Sequence, residues 1–107
     1  MKIEALTASP DQLVAAIDKV MAEGGLETWK IVKSQHHAIF YTHTPDQWNE
    51  KALISRLVGQ DRVVFAITFW KGLAQPTMAD KGVYFGRFTE VLLVHFRDYF
   101  SKLEVFV

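Results

Sequence analysis

The stretch that most constrains the fold is Arg62–Trp70, RVVFAITFW. Both of its alternating sets are apolar or carry threonine. Val63, Phe65, Ile67 and Phe69 form one set, and Val64, Ala66, Thr68 and Trp70 the other. Gly59 and Asp61 precede it and Gly72 follows it. A run that is apolar on both sides and bounded by turn residues reads as a strand buried on both faces, which the rest of the chain has to cover.

Lys2–Thr7 alternates, with Ile3 and Ala5 set against Lys2, Glu4 and Leu6, as a short half-buried strand does. Ser9-Pro10-Asp11-Gln12 then reads as a helix start, with Ser9 as cap, Pro10 at the first position and an acid beside the positive end of the helix. Leu13, Val14, Ile17, Val20 and Met21 follow as one helical stripe, and Gly24-Gly25 ends it. Thr28–Ser34 and His37–His43 are strand-like runs joined by a short polar link, which predicts a hairpin. Lys30 and Lys33 suit its first strand to a sheet edge. Thr44-Pro45-Asp46-Gln47 repeats the earlier helix start and predicts a second helix to about Val58. Leu53, Ile54, Leu57 and Val58 would share its apolar face, with Trp48 opposite.

Residues 1–35 and 36–70 thus each read strand–helix–strand, and two such halves make a βαββαβ, ferredoxin-like arrangement. Its fourth strand, Arg62–Trp70, would lie at a sheet edge, where so apolar a strand invites aggregation. Residues beyond it offer cover. Phe88, Val91, Leu92, His95, Phe96 and Tyr99 form an amphipathic stripe, and Lys102–Val107 alternates as a final strand to pair beside the fourth. Between them, Lys71–Phe85 reads as a loop over its first twelve residues, with Val83–Phe85 as a short strand. The expected fold is one α+β domain over residues 1–107, a ferredoxin-like sandwich with a C-terminal helix–strand extension and a five-stranded, mainly antiparallel sheet. The alternative is an open mixed sheet with helices on both faces.

Composition narrows the function classes. A chain of 107 residues buries roughly 65% of its unfolded surface in one core. Lys and Arg balance Asp and Glu at 12 each, which is no electrostatic footprint for nucleic acid or an anionic membrane. The aromatic strand HAIFYTH lacks the K/R-G-F/Y-G/A-F core of an RNA-stacking sheet, and KIEAL has no aromatic. There is no cysteine, no apolar run of membrane-spanning length, and no signal-peptide pattern in MKIEALTASPDQ, so a cytoplasmic protein is expected. No cofactor or metal is expected. His37 and His43 lie roughly 20 Å apart along one strand, and His36 and His37 face opposite ways. All three read as solvated strand-end histidines.

His95 is the weak catalytic candidate. It falls in the apolar stripe of the last helix, where a largely buried imidazole needs a partner or a cavity, and Asp98 is placed to orient it. No serine, cysteine or carboxylate pair can be tied to it. Gly82–Arg87, following Lys81, suggests an anion cradle, but it lacks the Walker Lys-Ser/Thr and the dinucleotide glycine spacing. Trp48 and Trp70 read as exposed contact residues, and with Lys71, Lys81 and Arg87 they form the candidate binding set. Three function classes are compatible with these features. The first is a protein-interaction or regulatory module of inhibitor or immunity type, with a protein partner or self-association. The second is a small-molecule-binding domain with its pocket between the last helix, the sheet and loop 71–85. The third is an enzyme using His95 as general base.

Overall fold

The computed structural model describes residues 1–107. Its elements run β1 (Lys2–Leu6), α1 (Pro10–Ala22), β2 (Trp29–Lys33), β3 (Ile39–His43), β4 (Leu53–Val58), β5 (Arg62–Thr68), α2 (Met78–His95), a 3-10 turn (Arg97–Tyr99) and β6 (Lys102–Phe106). The six strands form one antiparallel sheet in the order β2-β3-β4-β5-β1-β6.

Several expectations are corrected. The sheet has six strands rather than five, because Leu53–Val58 is a strand and not the end of a helix. Its Leu-Ile-Ser-Arg-Leu-Val satisfies both periods. The helical reading fails because its start is absorbed in a turn. Trp48 and Asn49 donate their backbone N–H groups to the Pro45 carbonyl, and Glu50 then takes a positive φ of 54°. Thr42 fixes the exit of this turn. Its hydroxyl accepts from the Glu50 N–H at 3.0 Å and donates to the Ala52 carbonyl at 3.1 Å. With β4 in the sheet, the expected second strand–helix–strand half does not form.

β5 is therefore an interior strand, flanked by β4 and β1. The C-terminal strand pairs with β1 and not with β5. The long loop is also shorter than expected. Thr77 caps a helix that begins at Met78, and residues 83–85 lie within that helix rather than in a strand. The signal was Thr77-Met78-Ala79-Asp80, a capping box: the Asp80 N–H donates to the Thr77 hydroxyl at 3.1 Å, and the Thr77 N–H to the Asp80 carboxylate at 2.9 Å.

Strand alternation and register sort the sheet into two faces. Ile3, Ala5, Val63, Phe65, Ile54 and Tyr41 share one face. Both helices pack on it, joining Leu13, Ile17, Tyr84, Phe88 and Leu92 into one continuous core. Phe88 sits at its centre, 5.0 Å from the Phe65 ring, 5.8 Å from Tyr41 and 5.4 Å from Trp29. One polar knot is tied within this layer. Arg56 bonds Asp18 of α1 at 2.6 and 2.7 Å, and the Tyr41 hydroxyl donates to Asp18 at 2.6 Å. Burial, then the Asp18 carboxylate, pushes the Tyr41 phenol far up, so it stays protonated and donates. The helices share a face, so the alternative with helices on both faces does not form.

The opposite face carries no helix. Val64, Ala66 and Thr68 of β5, Phe40 of β3 and Val32 of β2 are half-buried there, and Leu57 is 69% exposed. The Arg62–Thr68 strand is thus covered on one side only. Near β1 the same face is ionic. Glu4 is 6% exposed without a helix above it, because Lys2 at 2.8 Å and Arg62 at 2.5 Å fold over its carboxylate.

Candidate functional site

A cleft of about 740 Å³ lies between α2, the paired ends of β2 and β3, and the turn that follows β3. Its volume lies within the range of small-molecule sites. Trp29 and His43 lie opposite one another in the β2–β3 register and form its inner end. Pro45, Gln47 and Trp48 make one wall. Gly82, Val83, Gly86, Arg87, Glu90 and Val91 of α2 make the other. Gly82 and Gly86 are one helical turn apart, and a Cβ at either would meet no atom within 4 Å. The helix wall is therefore open at both positions.

His43 corrects the reading of its residue as solvated. It is 6% exposed, with its ring 4.8 Å from Trp29 and 6.0 Å from Tyr84. Alternation placed it on the same side as Tyr41, and that was the available signal. Its Nδ1 lies 2.8 Å from the Thr28 carbonyl. A carbonyl only accepts, so in the neutral ring Nδ1 carries the proton and Nε2 presents a lone pair. Nε2 has no protein partner, and no sealed-in side-chain nitrogen or oxygen lacks one. Nε2 is therefore accessible, on a residue that lines the cleft. Burial lowers the His43 pKa, the Thr28 hydrogen bond opposes this, and the Arg87 charge adds to the lowering. The ring is accordingly held neutral near pH 7, as a hydrogen-bond acceptor.

Arg87 meets Glu90 at 3.8 Å, both side chains being mostly exposed. Such a pair is worth little and leaves the guanidinium donors free for a ligand. The wall opposite is held from beneath. The Tyr84 hydroxyl, on α2, donates to the Trp48 carbonyl and meets the Thr42 hydroxyl at 3.1 Å. Tyr84 thereby ties the helix to the turn that carries Trp48.

Of the candidate binding set read from the sequence, Trp48 and Arg87 both line this cleft. Trp70 lies on the uncovered side of the sheet, 5.6 Å from the Phe40 ring, with its indole N–H on Glu50 at 2.8 Å. Lys71 is exposed in the turn after β5, and Lys81 is half-buried in the first turns of α2, outside the cleft lining. His95 ends α2 and is exposed, so its expected burial is corrected. Phe88, Val91 and Leu92 keep the predicted inward phase, whereas Leu93, Val94 and His95 turn outward. No three His, Asp or Glu side chains converge as a metal site would need. No helix is long and apolar enough to cross a membrane. Compared with protein-family models, curated proteins and solved structures, the chain matches none.

Proposed function

We propose that this protein is a small-molecule-binding domain and that the cleft beside α2 is its site. The carrying observation is the accessible, partnerless Nε2 of the neutral His43 ring, on a residue that lines the cleft. An accessible acceptor on a ring already fixed by packing is a recognition element, because a donor can pair with it without first ordering the side chain. Arg87 and Trp48 supply charge and aromatic surface in the same space. The pocket thus lies between the last helix, the sheet end and turn 44–52, and not against the loop before α2.

The test is a fragment library screened by NMR on the labelled chain. Bound fragments should shift the amides of Gly82 and Gly86 and the Trp48 indole. Gly86→Leu, which fills open space rather than displacing atoms, should abolish those shifts while the remaining spectrum stays dispersed. Fragments scattered over the surface, or unaffected by Gly86→Leu, would overturn the reading.

A second observation favours the interaction module. The uncovered sheet face carries Val32, Phe40, Leu57, Val64 and Ala66 with no layer above it, and such apolar patches mark partner sites. Self-association there should appear as a concentration-dependent sedimentation coefficient that Leu57→Glu removes. A wild-type chain that sediments as a monomer throughout would set self-association aside.

The ferredoxin-like frame belongs to the same proposal. With the β3–β4 pair set aside, β2-β5-β1-β6 with α1 and α2 as crossovers follows a split βαβ order. The frame supports a hairpin insertion into such a fold, and it says nothing of activity.

A further inference from the structure

We infer that the cleft takes a planar aromatic monoanion, a ring carboxylate that also carries an N–H or O–H donor. This rests on the cleft being a binding site and specifies the class of its ligand. Each part of the class answers a feature of the site.

The donor answers His43. With Nδ1 committed to Thr28 at 2.8 Å, the ring can only accept at Nε2, so the group opposite must donate. A second acceptor there would leave two lone pairs facing each other. The anion answers Arg87. Its single link to Glu90 at 3.8 Å does not hold the guanidinium, whose fork geometry matches a carboxylate.

The single charge answers Glu90. One guanidinium and one carboxylate line the cleft, so a dianion such as a phosphate monoester would face Glu90 with an unneutralised charge. The flat ring answers α2. Gly82 and Gly86 expose bare backbone over one turn, and a side chain at either position would occupy the space. Trp48 stands on the wall opposite. A planar ring laid over the bare backbone at Gly82 and Gly86, opposite Trp48, has little conformational entropy to lose. Glycine inside a helix costs roughly 0.5–1 kcal/mol against alanine, and two of them at the one open wall fit a surface kept flat for a ligand.

The test uses simple probes. Indole-2-carboxylate and indole-5-carboxylate carry the N–H and the anion at two spacings. Indole lacks the anion, and the N-methyl derivatives of both acids lack the donor. Affinity is read by NMR titration of the wild-type chain at pH 7. At least one indole carboxylate should bind and shift the Trp48 indole and the His43 ring. Removing the carboxylate, or methylating the nitrogen, should weaken it at least about tenfold. Arg87→Ala should weaken the acid and leave indole unchanged.

These ligand-side changes need no alteration of His43, whose packing in the core makes its own variants ambiguous. Indole or the N-methyl acids binding the cleft as tightly as the parent acids would overturn the ligand class while leaving the pocket reading intact. Phenyl phosphate, mainly a dianion at pH 7, competing with the acids at equal affinity would overturn the single-charge argument. No shift at the cleft with any probe would overturn the class, and the fragment screen then decides the fate of the pocket separately.

Discussion

Ser9 and Thr77 hold the same position at the starts of the two helices and act differently. Thr77 accepts the Asp80 N–H, whereas the Ser9 side chain makes no capping bond and its N–H instead meets the Thr7 hydroxyl at 3.0 Å. Thr77→Ala should therefore cost about 1 kcal/mol in urea melts. Ser9→Ala should stay within about 0.5 kcal/mol, against the larger cost its sequence position suggests. Glu4 predicts a pH effect. Lys2 first, then Arg62, holds its carboxyl below the usual range. The unfolded chain then takes up the proton first as pH falls. The stabilisation is complete above the ordinary glutamate pKa of about 4.3 and is lost as pH drops through the lowered folded value. Glu4→Gln should flatten part of the slope of stability against pH in the acid range. Asp61 and Asp80, both also lowered by their hydrogen bonds, should keep the rest. An unchanged slope would mean the Lys2 and Arg62 contacts are too exposed to matter.

At the scale of elements, α2 carries a testable conflict between helix propensity and open space. Gly82 and Gly86 lie inside the helix with nothing within 4 Å of an added Cβ. Gly82→Ala and Gly86→Ala should each raise stability by roughly 0.5–1 kcal/mol, seen as a higher midpoint in chemical denaturation. A loss instead would mean that the helix needs its glycines for packing rather than for space. β6 makes the second test. It pairs with β1 along Lys2–Leu6, and the Ser101 N–H is held by the Leu6 carbonyl at 2.8 Å. Deleting Leu103–Val107 should bare the β1 edge and produce concentration-dependent association in sedimentation experiments. A truncated chain that is monomeric and as stable as the full one would show that β1 needs no partner on that side.

For the whole molecule, the decisive property is a sheet with one covered face. Phe88 joins the rings of Phe65, Tyr41 and Trp29 under the helices, so Phe88→Ala should cost about 3–5 kcal/mol. Leu57 lies on the other face, 69% exposed, and Leu57→Ser should move stability by no more than about 0.5 kcal/mol. Comparable losses at both positions would mean that the second face is covered in solution.

Local residues determined the elements whose signals do not depend on distant partners. Pro10 and the Leu13–Met21 stripe define α1, Lys30 and Lys33 mark the β2 edge, and the Phe88–Leu92 phase points α2 inward. Arg62–Thr68 was readable as a strand because it is a short apolar run bounded by Gly59, Asp61 and Gly72, although only one of its faces is covered. Tertiary structure alone decided Thr44–Val58. Its helix start and its Leu-Ile-Ser-Arg-Leu-Val run agree with both periods. The choice fell to Thr42 and Tyr84, which hold the turn from outside it, and to β5, whose pairing satisfies the backbone of β4. That choice placed β5 in the interior and moved β6 to β1. It also folded Trp48 toward α2, so the cleft exists only once residues 29, 43, 48 and 87 are brought together. A backbone hydrogen bond between distant strands has no signature in either strand's own sequence, and for that reason α1 and the inward stripe of α2 were legible and the sheet order was not.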